Sequence, residues 1–348
     1  MPSKAPSPSS TAWLNATLIL GMSSGMAVRL HPVTTMILAR VAVGVVALLV
    51  ISSMLFVALE LLPGDFADAI LGRSRTPERL AAIREALGLD RAAHLRYADW
   101  LVGALSLDFG TSWKWGTPVW PIIAPRLYNS LLLAALTAMF AVPLGLVLGI
   151  YAATKKGTLF DRTTSLGTLV LFATPDFVLA YFLAFILVVT FRVLPAFTAW
   201  MPDISLADRL YGMALPILTL TLVSLAPIMR LTRACILNLL AEPYIEMARL
   251  KGLTPWRVIT RHALPNALGP IINVTIMIIA HLIVGVVVVE VLFSYRGLGS
   301  FMVDSVASRD LPVVQAGGMI FATIYIFLFL VADIIALVSN PRLRNPDR

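Results

Sequence analysis

An all-α integral membrane protein with six spanning helices is the fold class this 348-residue sequence predicts. Three observations lead there. The chain is 59% hydrophobic and only 13% charged, where soluble domains carry about 25% charged residues. Six apolar runs reach the length a helix needs to cross the hydrocarbon core, about 20 residues. The Lys and Arg residues are distributed very unevenly between the segments that join those runs. Backbone groups in lipid must be paired within their own segment, so the runs are read as helices.

Residues 1–35 open with a Ser/Pro-rich stretch. They are expected to be an extension, either disordered or lying upstream of the true start, with Met36 as the alternative initiator. The first span occupies 36–62, its uncharged run Val41 to Leu59 closing at Pro63-Gly64. Residues 63–126 are too long for a turn. They carry two helix signatures, one from Thr76-Pro77-Glu78 to Gly88 and one from Asp90 to just before Gly110. The reading is a helical external segment, either a lid at the pore mouth or a structural cap. A five-span core follows over 127–340, with runs Leu127–Thr154, Thr163–Phe191, Leu210–Met229, Ala263–Val289 and Leu311–Ala332. Pro175 is expected to kink the second of these. Residues 341–348 form a tail.

With the N-terminus inside, fifteen of the 27 Lys and Arg residues fall on the inner side and four in the short outer loops. The orientation is therefore N-in and C-in. The net charge of +8 follows from this topology, and no nucleic-acid partner is implied. The single cysteine, Cys235, forms no internal disulfide.

The inner stretch Glu242 to Asn266 is the most ordered polar segment of the second half. Glu242 to Leu250 reads as a short helix with acids at its start and Arg249 and Lys251 at its end. Gly252 sits at a left-handed C-terminal cap. Thr254 and Pro255 then open a second helix, which Pro265 is expected to stop. The competing reading is a basic loop that only sets topology.

Glu246-Met247-Ala248, Gly252 and Leu264-Pro265 resemble the EAA loop of permease subunits of ATP-binding-cassette importers. Met247 replaces the usual middle Ala and His262 the usual Ile. His262-Ala263-Leu264-Pro265-Asn266-Ala267 is similar to the dipeptide/oligopeptide/nickel branch. So are Pro63-Gly64-Asp65, Leu87-Gly88-Leu89-Asp90 and Asp108-Phe109-Gly110-Thr111-Ser112. Further matches are Glu290-x-x-Phe293-Ser294-x-x-Gly297-Leu298-Gly299 and Arg309-Asp310-Leu311-Pro312-Val313-Val314-Gln315, with Asn340-Pro341-Arg342 at the end.

The resemblance implies the type I importer permease fold, with 242–266 as a coupling helix against an ATP-binding subunit. Glu242, Tyr244, Glu246, Met247, Ala248, Lys251, Gly252, Leu253, Arg261, Leu264 and Pro265 would carry that coupling. It also implies a second homologous permease, two ATP-binding subunits, an extracytoplasmic solute-binding protein and a lipid environment in the bacterial inner membrane. ATP and Mg would sit on the partners, with no cofactor on this chain. Peptides or related small solutes would be the cargo.

Asp176 is the most membrane-embedded acid and a candidate for the translocation path, or else lies near an interface. Glu290, Phe293, Gly297 and Gly299 are candidates for an outer gate or a packed external loop, with Tyr295 as an interfacial anchor. His281, mid-span, is either a proton-coupling group or a packing histidine. No G-x-x-x-x-G-K-[ST] occurs, so the chain is not an ATPase. Four histidines and one cysteine show no metal-ligand spacing, and no nucleophile elbow is present, so enzyme chemistry is unsupported. The alternative class, an ion-driven secondary transporter, calls for inverted repeats around a midplane site, and none is visible. A non-transport assembly factor or sensor would need no EAA-like loop.

Overall fold

A computed structural model describes residues 32–61, 76–86, 88, 90–197 and 205–339. Residues 1–31, Pro63-Gly64-Asp65 and the end of the chain from 340 lie outside it. Among the described residues the regular structure is helical, with one isolated bridge between Thr111 and Pro118. The helices are α1 Pro32–Glu60, α2 Pro77–Ala86, α3 Ala93–Leu105, α4 Val119–Thr154, α5 Leu159–Ala173, α6 Asp176–Ala184, α7 Leu206–Leu239, α8 Pro243–Leu250, α9 Pro255–Val258, α10 Leu264–Leu292, α11 Leu298–Ala307 and α12 Leu311–Ser339. Helices α1, α4, α7, α12 and the continuous rod Pro255–Leu292 are each long and apolar enough to span a membrane.

The remaining span departs from expectation. Instead of one kinked helix, α5 and α6 meet at 107°. Proline forces the break at two positions: it disfavours helical backbone at the preceding residue and lacks an N–H of its own. Thr174 and Pro175 are both extended, at ψ 125° and 143°. The Val170 carbonyl accepts from both the Thr174 N–H (3.0 Å) and the Thr174 hydroxyl (2.8 Å), which closes the last turn of α5. Beyond Ala184, α6 runs on as a π-helix, Phe185–Thr190.

Pro265 does not stop its helix either. A π-helical turn, Ile259–Ala263, joins α9 to α10 without interruption. The wide turn shifts the hydrogen-bond register, so Pro265 lands in the first turn of α10, where no donor is needed.

α7 is the centre of the bundle. It packs against α4, α5, α6 and α10, and 61% of its apolar window is buried against 6% for α1. Lipid provides no hydrophobic push between helices, so association rests on close van der Waals fit and internal hydrogen bonds. The tightest fit is α4 on α7. A Cβ at Gly145 would lie 2.7 Å from Ile228 Cγ2, and one at Gly149 only 2.7 Å from the Met229 carbonyl oxygen. These two glycines form a G-x-x-x-G pair. Thr219, Thr221, Ser224 and Thr232 are buried on the same helix, α7.

Four cores order the bundle along its length. Leu133, Met213, Leu220, Val286 and Phe293 fill the middle and one end. Phe109, Ile123, Leu298, Phe301 and Val313 seal that end. Ala153, Ile236, Ala267 and Ile271 close the other, and Ile245, Ala248, Val258 and Ala263 lie beyond them. α12 starts at the sealed end and returns, so Asp333 meets Arg40 of α1 (3.0 Å) at the end carrying α8. Two short helices, α2 and α3, form between α1 and α4, and α3 begins at Ala93 and ends at Leu105, inside the stretch from Asp90 to Gly110. Tyr97 of α3 hydrogen-bonds Ser52 of α1 (2.7 Å), and Arg96 pairs with Glu60 (2.5 Å).

Gly149→Leu should lower the melting temperature of the purified protein in detergent, at a cost of about 1–3 kcal/mol for overpacking. Gly167→Ala is the control, because a Cβ there meets nothing within 4 Å. Equal melting of the two variants would contradict the close fit.

Candidate functional site

Two polar constructions cap the bundle, one at each end. The first is the helix pair after α7. Glu242 stands at the N-cap position of α8 without a side-chain cap bond, Pro243 opens the helix, and Glu246 and Arg249 sit in its first and last turns. Gly252 is left-handed, φ +78°. Its N–H donates to the Arg249 carbonyl (2.9 Å) and that of Leu253 to the Ala248 carbonyl (3.3 Å). This is the paired closure of a Schellman motif. Thr254 is at the next N-cap position, also without a side-chain bond, with Pro255 following.

α8 is amphipathic. Ile245 and Ala248 are buried against Val258, Ala263 and the half-buried Leu253, on a floor of Leu239 and Leu240. Tyr244, Met247 and Leu250 point outward, three residues apart, exposed by 43, 55 and 76%. Trp256 of α9 is 63% exposed beside this helix. Glu242, Glu246, Arg249, Lys251, Arg257 and Arg261 are exposed and, among the described residues, form no ion pair. Asn266 ties the pair to α10, donating to the Tyr244 hydroxyl (3.2 Å) and the His262 carbonyl (2.8 Å). Ala248, one of the coupling residues the resemblance implies, is buried, and its methyl packs on the underside of α8. Leu264 is half-buried and Pro265 exposed.

The second construction is a knot of two fully buried carboxylates at the opposite end. Glu290, near the end of α10, accepts from the Ser130 hydroxyl of α4 (2.5 Å) and the Ser300 N–H (2.9 Å). The Leu298 N–H donates to the same Ser130 hydroxyl (2.8 Å). Two free amides at the start of α11 are thereby satisfied, and a carboxylate sits where that helix dipole favours it. A side chain on Gly297 would fall onto the Glu290 carboxylate. Asp310, at the start of α12, accepts from the Ser112 hydroxyl and the Trp113 N–H (3.0 Å).

Tyr295 is fully buried, not an interfacial anchor. Its hydroxyl donates to the Asn129 carbonyl (2.9 Å), while the Asn129 amide donates to the Arg296 carbonyl (2.8 Å). Burial pushes the Tyr295 phenol well above its ordinary range, so it stays a donor. Phe293, Gly297 and Gly299 are buried with it. The four gate candidates on this stretch are thus packed into the knot and hold its turn.

Asp176 stands apart from both ends. The break at Pro175 puts it in the first turn of α6, half-buried, where the helix dipole favours a carboxylate. Its Oδ2 is 3.8 Å from where a Cβ of Gly285 would lie on α10. His281 is exposed on α10 and hydrogen-bonded to nothing among the described residues. No three His, Cys, Asp or Glu side chains among the described residues gather as a metal site.

This architecture is that of a multi-pass membrane component with an exposed amphipathic helix at one end and a buried polar knot at the other. Residues 145–345 match the family of the binding-protein-dependent transport system inner membrane component, and residues 33–134 match the N-terminal region of such components. The chain belongs to this family. It is 32% identical to the dipeptide transport system permease protein DppB of Escherichia coli over 333 residues, 89% of this chain and 98% of that one. It is 31% identical to the probable peptide ABC transporter permease protein y4tP of Sinorhizobium fredii, over 88% of this chain and 98% of that one. The protein is accordingly a multi-pass component of the bacterial inner membrane, a permease subunit and not an enzyme.

The sequence picked out Asp310 and Ser112 only as parts of two separate wordings, and nothing in it paired them. Asp310→Ala should release the 111–118 hairpin. Loss of the two bonds, about 1–3 kcal/mol, should speed amide hydrogen exchange there roughly ten- to hundredfold by local opening. Unchanged exchange would mean that apolar packing alone holds the hairpin.

Proposed function

We propose that this chain is one of two permease subunits that together form the pore of an ATP-driven, binding-protein-dependent importer. The chain crosses the membrane six times, the bent pair α5–α6 counting as one crossing, with both ends inside. α8 is the coupling helix. Its exposed Tyr244, Met247 and Leu250 enter a groove on an ATP-binding subunit, while Glu242, Glu246, Lys251 and Arg261 meet the polar rim. Two such subunits bind ATP and Mg and hydrolyse the nucleotide. A second homologous permease completes the pore, and an extracytoplasmic solute-binding protein delivers cargo to the knotted end. The two peptide-transport relatives support peptides, or a related small solute, as that cargo.

The observation that carries this reading is the outward apolar stripe of α8. A soluble surface seldom presents a Tyr, Met, Leu and Trp together on a charged loop without a partner. The platform beneath them is built from α7, α9 and the start of α10, so a push on α8 reaches the bundle directly.

A photo-crosslinker at Met247 in native membranes should capture an ATP-binding subunit. Capture of lipid and this chain alone, with the partners present, would favour an ion-driven carrier and turn attention to Asp176 and His281. Gly252→Val tests the same element differently. A side chain in the left-handed conformation costs about 1–2 kcal/mol, and nothing else crowds the position. The variant should reach the membrane at normal levels yet lose ATP-driven uptake. Full uptake by that variant would rule out the coupling role.

A further inference from the structure

The platform and the knot leave one charged feature unused, a cleft between α5 and α7 at the end that carries α8. It measures about 390 Å3 and is lined by Ser165, Leu166, Leu169, Met229, Arg230 and Arg233. Asp161 is buried at its edge. It accepts from Arg233 Nε (2.6 Å) and Nη2 (2.9 Å) and from the Gly157 N–H (2.9 Å). This bidentate pair fixes the Arg233 guanidinium and leaves Nη1 without a hydrogen bond among the described residues.

Arg230 lies one turn earlier on α7. It is exposed, its guanidinium carbon 5.4 Å from the centre of the Phe172 ring, and it has no acidic partner among the described residues. Arg162, also exposed, is three, four and seven residues before Ser165, Leu166 and Leu169, which puts it on the same face of α5. Three cations thus border the cleft against one acid. The α5 wall is apolar: Leu166 and Leu169 are 63 and 48% exposed.

Depth sets the kind of ligand. α7 has 34 residues, about 51 Å of helix, against about 30 Å of hydrocarbon. Arg230 is about 13 Å from the end of α7, close to the boundary between acyl chains and headgroups. An exposed guanidinium at that level requires an anion or a route to water. Clusters of Arg and Lys between spanning helices supply a phosphate site with an apolar wall beside it.

We propose that the α5–α7 cleft binds the phosphate of an anionic phospholipid. Arg230, Arg162 and the free edge of Arg233 hold the headgroup, and an acyl chain lies along Leu166 and Leu169. The Asp161 pair positions Arg233 and is not itself a lipid contact. The site does not depend on the cargo or on the ATP-binding partner.

The test uses the full-length chain, purified with whatever subunits accompany it. Native mass spectrometry should find phosphatidylglycerol or cardiolipin retained, and the double variant Arg162→Gln/Arg230→Gln should retain about tenfold less. The pair Arg162→Lys/Arg230→Lys keeps the charge and should keep most of the lipid, which separates binding from misfolding. Thermal melting of the wild type should rise in nanodiscs containing phosphatidylglycerol relative to phosphatidylcholine alone, and the Gln variant should lose that gain.

Equal lipid retention by wild type and the Gln variant would overturn the proposal. An equal stabilisation by inorganic phosphate in detergent would assign the cleft to a free anion instead. A changed subunit stoichiometry in the Gln variant would show that a protein surface, not lipid, covers these arginines.

Discussion

Lipid neither competes for hydrogen bonds nor drives apolar surfaces together, and this constraint shapes the whole molecule. Helices stay together only where their backbones approach closely and their polar groups are paired. The approach of α4 to α7 at Gly145 and Gly149 meets the first condition. It makes α7, the most enclosed of the spanning helices, the element on which α5, α6 and α10 are assembled. The outermost helix, α1, is held by little beyond α12, the external segment and the Arg40–Asp333 pair.

The polar groups are concentrated at the two ends, and each end uses a different device. At the sealed end, Glu290 and Asp310 are fully buried. Each acid stitches together segments far apart in the chain, and removing either would leave donors unsatisfied. At the other end, α8 is held by apolar contacts on one face and left open on the opposite face. One structure is thus locked and the other exposed. They are joined by a single continuous rod of 38 residues, Pro255–Leu292. It starts beneath α8 and ends two residues past Glu290, so one continuous helix runs from one construction to the other.

Local chemistry was readable wherever it depends on neighbours in sequence. Gly252 had to be left-handed because an acidic-to-basic helix ended just before it and Pro255 began the next. α2 starts at Pro77, beside the Thr76-Pro77-Glu78 signature, whereas α3 starts at Ala93 and ends at Leu105, short of both Asp90 and Gly110. The reading failed where a proline acted in a wider context. Pro175 broke its span by 107° because Thr174 joined it in the extended region. Pro265 broke nothing, because a π-turn had already shifted the register. Ala248, a coupling residue by its motif, is a buried contact of α8. The G-x-x-x-G pair on α4 stands in the sequence, but the residues it meets on α7 do not follow from it.

The sequence by itself determined the class. Hydropathy and the wording around Glu246 and Gly252 are properties of contiguous residues, and they suffice to specify an all-helical multi-pass membrane protein and its family. Which side chains meet was decided only by tertiary structure. Ser112 with Asp310, Ser130 with Glu290, and Asp161 with Arg233 are separated by 198, 160 and 72 positions. Pairings over such distances depend on how helices pack and turn against one another. That geometry is set by close contacts such as Gly149 on Met229, and the spacing of the glycines does not name the residue each one meets on the other helix.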